Sequence, residues 1–176
     1  MRNSAFLALG VGLLILQGNL YRLLGPLHIA GATPSLLLPL IVFMGVHEYS
    51  IARGAALSFL LGYLLDVFAA APVGLFTFIT VATFVVSRGA GVRLAAQTFL
   101  TKLALALGFG LVEGVLIVVL TAIFGNDPAR PRALAYLVAP HAIATAVFAP
   151  IVFRLAERIH ASTVVNIPRP GEGGAR

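Results

Sequence analysis

Long runs of uncharged, mostly apolar residues constrain this fold more than any other feature of the sequence. Nineteen uncharged residues occupy positions 3–21, and twenty-one occupy positions 133–153. A bilayer core is about 30 Å thick and a helix rises about 1.5 Å per residue, so about 20 such residues span it. Apolar residues make up 60% of the chain and charged residues 10%, against roughly 45–50% and 25% in soluble domains. A water-soluble globule is excluded, and a polytopic membrane protein is predicted.

Charges, prolines and glycines divide the chain into six predicted helices. The runs are continuous and do not alternate, so helices are favoured over barrel strands. Pro34 suits the first turn of a helix, and Pro72 with Gly74 breaks the long run between Arg53 and Arg88. The predicted fold is all-α, with one compact six-helix membrane domain over 1–160 and a flexible tail over 161–176. The predicted spans are 3–21, 34–47, 54–70, 73–88, 103–125 and 133–153.

The distribution of Lys and Arg predicts the orientation in the membrane. Cytoplasmic loops carry the excess of these residues, and an even number of spans places both termini on one side. With the termini in the cytoplasm, nine basic residues lie inside and three outside: Arg2, Arg53, Arg88, Arg93, Lys102, Arg154, Arg158, Arg169 and Arg176 against Arg22, Arg130 and Arg132. Single, scattered basic residues do not suit nucleic acid, which is not an expected partner. Membrane lipid is expected, and the group from Arg88 to Lys102 either contacts anionic lipid or only sets topology.

Two acids lie inside apolar runs, and such residues require an explanation. Asp66 is predicted near the outer end of the third helix and Glu113 near the middle of the fifth. They are either a proton relay or ion-coupling carboxylates, or structural acids bonded to a neighbouring helix. A relay usually needs a chain of acids and His, so the structural reading is favoured. His141, in the sixth helix, is expected to cap or to pair.

The sequence predicts no catalytic residue, no metal site and no cofactor. His47-Glu48 begins a zinc-protease pattern, but the position of its second His is Ile51. The chain has no Cys, no Gly-x-Ser-x-Gly elbow and no phosphate-binding Gly-rich loop. An enzyme is therefore not expected.

Small residues recur at four-residue spacing on three predicted helices. Such a row lets another backbone approach closely, which drives helix association in lipid. Each row either packs inside the bundle or binds a partner's helix. The favoured partner-binding face is the row on the third predicted helix, extended by Asp66, Pro72 and Gly74, because this row ends in a carboxylate. The rows are Ser4, Ala8 and Gly12 (the α1 row), Gly54, Ser58 and Gly62 (the α3 row), and Gly110 with Gly114 (the α5 row).

The segment over residues 34–90 resembles the bacterial rod-shape-determining protein MreD. The resemblance is carried by the Gly-rich row, by Leu-Leu-Asp ending at Asp66, and by the turn Pro72-Val-Gly74-Leu75. It implies a non-catalytic adaptor of cell-wall elongation in the bacterial inner membrane. The implied partners are an MreC-like single-span protein, RodA with its class B penicillin-binding protein, and MreB. The segment Ala69-Ala-Ala71 departs from the small polar residue that the family often carries there.

Two alternatives remain open. The same six-helix plan resembles the substrate-binding subunits of energy-coupling-factor vitamin transporters, which dock through small residues on the first helix. The α1 row would serve that purpose, but the short outer loop at Ala69–Pro72 and the absence of Trp disfavour a vitamin pocket. An ion-coupled carrier using Asp66 and Glu113 ranks third, because no inverted repeat is visible.

Overall fold

The computed structural model describes residues 2–24, 33–47, 50–69, 72–89, 99–124 and 130–163. Within these ranges all regular structure is helical and no strand occurs, which confirms the predicted all-α class. Three of the helices are long and apolar enough to cross a membrane, namely Ile51–Phe68, Leu100–Phe124 and Pro131–Ser162. The six helices are α1 (Arg2–Leu24), α2 (Leu37–His47), α3 (Ile51–Phe68), α4 (Leu75–Gly89), α5 (Phe99–Phe124) and α6 (Arg130–Thr163).

Several predicted helix boundaries differ from the observed ones by three residues or more. The second helix begins at Leu37 and not at Pro34, and residues 33–36 before it are not helical. The sixth helix continues to Thr163, ten residues beyond the predicted end of the span. Residues 161–163 of the predicted tail are therefore helical, and 164–176 lie outside the described residues. A charged residue ends an apolar run, but a helix can continue past it into a more polar region.

The short helix α2 is the centre of the bundle. Every residue from Leu37 to Val46 is buried, and α2 contacts each of the other five helices. Its eleven residues rise only about 16 Å, which is too short to cross a bilayer core. A helix that is apolar on all sides belongs in an interior. Phe43 on this helix packs near Phe6 of α1 and Phe153 of α6 in the main core.

Four of the other five helices form two closely packed antiparallel pairs around α2. One pair is α3 with α4, and the other is α5 with α6. Gly110 and Gly114 face α6: a Cβ on Gly110 would lie 3.2 Å from the Cα of Ala142, and one on Gly114 would lie 2.7 Å from Val138. The α5 row is thus internal packing between two helices of this chain.

Candidate functional site

Asp66, which belongs to α3, caps the amino-terminal end of α4. Its Oδ2 atom accepts hydrogen bonds from the backbone N–H of Gly74 at 2.9 Å and of Thr77 at 3.2 Å, and from the Thr77 hydroxyl at 2.6 Å. Its Oδ1 atom accepts from the backbone N–H of Phe76 at 2.7 Å. The first N–H groups of a helix lack partners within the helix and favour negative charge. Asp66 is 1% exposed, and these four bonds compensate its burial.

The Pro-Val-Gly turn gives α4 the geometry that this cap requires. The N–H of Leu75 donates to the carbonyl of Pro72 at 3.1 Å, and the N–H of Phe78 donates to the carbonyl of Gly74 at 2.9 Å. Gly74 has a φ of 99°, a backbone conformation that glycine adopts without strain. Asp66, Pro72 and Gly74 therefore act together to turn the chain and to start α4. The spacing of the Leu-Leu-Asp and Pro-x-Gly motifs follows from this geometry.

The α3 row packs against α4 and does not present an open face. A Cβ on Gly54 would overlap the ring of Phe84, and one on Gly62 would overlap the Thr80 hydroxyl. The same Thr80 hydroxyl donates to the carbonyl of Ser58 at 2.9 Å. The structure therefore places α4 of the same chain against this face, where the sequence-based prediction placed a partner's helix.

The α1 row, in contrast, faces outward. Ser4, Ala8 and Gly12 are exposed, and no atom lies within 4 Å of a Cβ placed on Gly12. The opposite side of α1 is buried, where Gly10 packs against Leu61 of α3. Of the three predicted rows, the α1 row alone leaves its small residues uncovered by the described part of the chain.

A second buried polar cluster surrounds Glu113. The Ser35 hydroxyl donates to Oε1 of Glu113 at 3.1 Å, and the Ser35 N–H donates to the Thr145 hydroxyl of α6 at 2.9 Å. The N–H of Leu36 donates to the side-chain carbonyl of Gln17 on α1 at 3.0 Å. Residues 33–36, termed the strap, are thus bonded to α1, α5 and α6. Because the strap leads into α2, Glu113 lies at the amino-terminal end of the central helix.

His141 completes this cluster from α6. Its Nδ1 atom lies 2.6 Å from the carbonyl oxygen of Thr33 in the strap, and its Nε2 atom lies 3.6 Å from Oε2 of Glu113. A carbonyl oxygen only accepts hydrogen bonds, so Nδ1 carries a hydrogen. Among the residues that the structure describes, neither Nε2 of His141 nor Oε2 of Glu113 has a hydrogen-bond partner, and both atoms are buried. The structure thus brings together two of the predicted polar residues and leaves Asp66 in a separate site.

Sequence reasoning missed the residues that hold this cluster together. Gln17, Thr33 and Thr145 are uncharged and belong to no recognised motif. Ser35 lies in the segment that resembles MreD, but the resemblance assigns it no role. Gln17 and Thr145 are polar residues inside apolar runs, which is a weak signal for a buried hydrogen bond. Ser35 lies two residues before the start of the very apolar helix α2, and Ser is common near the amino-terminal end of a helix.

At the opposite end of the bundle the polar contacts are simpler. The ring of His47 stacks on Phe43 with centroids 4.1 Å apart, and His160 lies 5.7 Å from His47. Lys102 of α5 forms an ion pair with Glu157 of α6. Among the described residues no three His, Cys, Asp or Glu side chains are grouped as metal ligands. Glu48 and Arg93, which the sequence also singles out, lie outside the described residues.

Comparison of the chain with protein-family models, with curated proteins and with solved structures gives no match. The function must therefore be inferred from the residues and their geometry.

Proposed function

We propose that this chain is a non-catalytic adaptor of the MreD type in the bacterial inner membrane. In this proposal it crosses the membrane six times with both termini in the cytoplasm, and the second crossing is made by α2 together with the non-helical residues 33–36 that precede it. It binds an MreC-like single-span protein and connects it with RodA, its class B penicillin-binding protein, and MreB. Membrane lipid contacts the outer surface of its helices.

One observation carries the proposal: the residues of the MreD resemblance form a single structural unit. Gly54 and Gly62 let α4 approach α3, Asp66 caps α4, and Pro72 with Gly74 forms the turn between them. A chance match to a motif would not be expected to place all of its residues in one interface. The resemblance is thus supported as a folding motif, and the adaptor function follows from the resemblance.

The partner's helix is assigned to the α1 row and not to the α3 row. A Leu at Gly62 or a Lys at Asp66 would disrupt the α3–α4 pair, so such variants report on folding and not on docking. Gly12 is exposed, and a Cβ placed on it meets no atom of the described residues within 4 Å, so a larger side chain there leaves the packing of the described helices intact. Small residues on an exposed helix face suit close helix association in lipid.

Co-purification with an MreC-like protein tests this assignment. Gly12→Leu is expected to reduce the recovered partner at least about tenfold, a loss of about 1.4 kcal/mol. Gly108→Leu on α5 is the matched control, because Gly108 is also exposed with nothing within 4 Å of its Cβ. It should retain the partner. Equal recovery with both variants would exclude the α1 row as the docking face.

Depletion of the chain in a rod-shaped host tests the function as a whole. Cells are expected to become round, because the elongation machinery loses its membrane adaptor. Re-expression of the unmodified chain should restore rods. Cells that stay rod-shaped after complete depletion, together with failure of the chain to co-purify with any MreC-like protein, would overturn the proposal.

The exposed α1 row also favours a second candidate, the substrate-binding subunit of an energy-coupling-factor transporter. That class docks its transport partner through small residues on the first helix. A vitamin-sized ligand retained through purification, and co-purification with a transporter subunit that Gly12→Leu abolishes, would support this candidate. Ligand-free protein that binds an MreC-like partner would exclude it.

A further inference from the structure

We propose that Glu113 and His141 form a binding site for one proton inside the membrane, and that this proton keeps the strap bound to the bundle. Three helices and the strap meet at this pair. Glu113 is 3% exposed, and its Oε2 atom points at the Nε2 atom of His141 from 3.6 Å with no other partner. No function derived above uses this pair.

The hydrogen bonds determine how many protons the pair holds. Nδ1 of His141 donates to Thr33, so a neutral ring has only a lone pair at Nε2. An ionised Glu113 would set a carboxylate oxygen against that lone pair, with nothing between them. One added proton resolves this conflict, either on Glu113, which then donates to Nε2, or on Nε2, which then donates to Glu113. In both arrangements the net charge of the pair is zero, as burial in an apolar interior favours.

No other charged group in the described side chains compensates the pair. The helix α2 offers none before His47 at its far end, and the described part of α1 contributes only the neutral Gln17. Asp66 on α3 is fully bonded at the start of α4, and Arg88 lies at the opposite end of that helix. Lys102 is eleven residues from Glu113 along α5, about 16 Å, and is paired with Glu157. On α6, Arg132 is nine residues from His141, about 14 Å.

Loss of the proton would leave one negative charge in a dry, apolar region. Such a charge must recruit water or move, because burying it unpaired is costly. A cavity of about 150 Å³ adjoins His141, lined by Thr33, Gly114 and Val138 among others, and its polar residues Thr33 and His141 offer partners to water. The strap is the element that can yield, since it is held by side chains rather than by a helix. Deprotonation therefore releases the strap, and the proton-bound form at lower pH keeps it docked.

The proton count is measured on the unmodified chain in lipid nanodiscs over a pH series, by ¹⁵N NMR of its histidines and ¹³C NMR of its glutamate carboxyl groups, the Glu113 signal being assigned by its loss in Glu113→Gln. The signals of His141 are assigned by their loss in His141→Gln. We expect Nδ1 to stay protonated throughout, and the pair to release a single proton as the pH rises. A neutral His141 beside an ionised Glu113 throughout the neutral range would overturn the proposal, and so would a pair that holds two protons there.

Release of the strap is measured separately, by thiol labelling of Thr33→Cys. The chain has no Cys, so the introduced thiol is unique, and the contact to His141 is kept because it uses the backbone carbonyl. The labelling rate, corrected for the thiolate fraction, should rise at least about tenfold, about 1.4 kcal/mol, across the deprotonation. The same variant in a Glu113→Gln background is the control. The introduced Gln side chain can accept a hydrogen bond from Ser35 and donate one to Nε2 of His141, so Glu113→Gln mimics protonated Glu113. The corrected labelling rate in this background should therefore stay low at all pH values. A corrected rate that is flat in both backgrounds would show that the strap does not respond to the proton.

Discussion

At the scale of single residues, Asp66 and Glu113 have similar structural roles at two separate sites. Each lies in a long helix, and each meets the start of a shorter neighbouring helix. Asp66 accepts the free N–H groups of α4, and Glu113 accepts from Ser35, which leads into α2. For Asp66, the first N–H groups of α4 also favour negative charge, because the amino-terminal end of a helix carries partial positive charge. The sequence predicts that both acids are structural, but their partners are not adjacent along the chain and could not be named.

Replacement of Asp66 by Asn is expected to destabilise the chain by about 2 kcal/mol. An amide group presents one acceptor and one donor, so the donors of Gly74 and Thr77 that now meet Oδ2 would face an N–H₂ group or lose their partner. The free energy of unfolding in a denaturing detergent series measures the loss. Thr77→Val is the control, because it removes one hydroxyl bond and should cost only about 0.6–1 kcal/mol. Equal effects of the two substitutions would show that the carboxylate is not the dominant cap.

At the scale of helices, spacing alone could not distinguish the three rows of small residues. A row shows that a backbone can approach, but not which helix approaches it. The structure separates them: the α3 row faces α4, the α5 row faces α6, and the α1 row faces outward. Likewise, the sequence predicts a membrane span both for apolar runs of about twenty residues and for the eleven-residue core helix α2. The uniform apolar character of α2 was the available signal that it lies inside the bundle.

Substitution of two glycines by Ala tests this separation. A Cβ on Gly62 would lie 2.7 Å from the Cα of Thr77, so Gly62→Ala must push α3 and α4 apart and is expected to cost about 1–3 kcal/mol. Gly12→Ala meets no neighbour and should instead gain up to about 1 kcal/mol from the helix preference of Ala. Detergent unfolding of the two variants gives both values. A Gly62→Ala variant as stable as the parent would mean that the α3–α4 interface can relax without cost.

At the scale of the whole molecule, composition was sufficient to predict an all-helical membrane protein. Charges and breaks located all six helices, because both features depend only on local sequence. The Glu113 cluster was not predictable as a unit: its hydrogen bonds join residues 78 and 110 positions apart, and the residues that close them are uncharged. Long-range polar contacts of this kind appear only once the helices are packed. Glu113 and His141 were identified from the sequence, and the strap that connects them was not.

Orientation is the property of the whole chain that remains a prediction from its charges, and the absence of Cys makes it directly testable. Val73 in the α3–α4 turn is 81% exposed, and Ala161 near the end of α6 is also exposed. With both termini in the cytoplasm, a membrane-impermeant thiol reagent should label Val73→Cys in intact cells. It should label Ala161→Cys only after the membrane is opened. The physical reason is the excess of basic residues at the end that contains Arg53, Lys102 and Arg158, which opposes translocation of that end. The reverse labelling pattern would invert the assigned sides, and labelling of both positions in intact cells would contradict six spans.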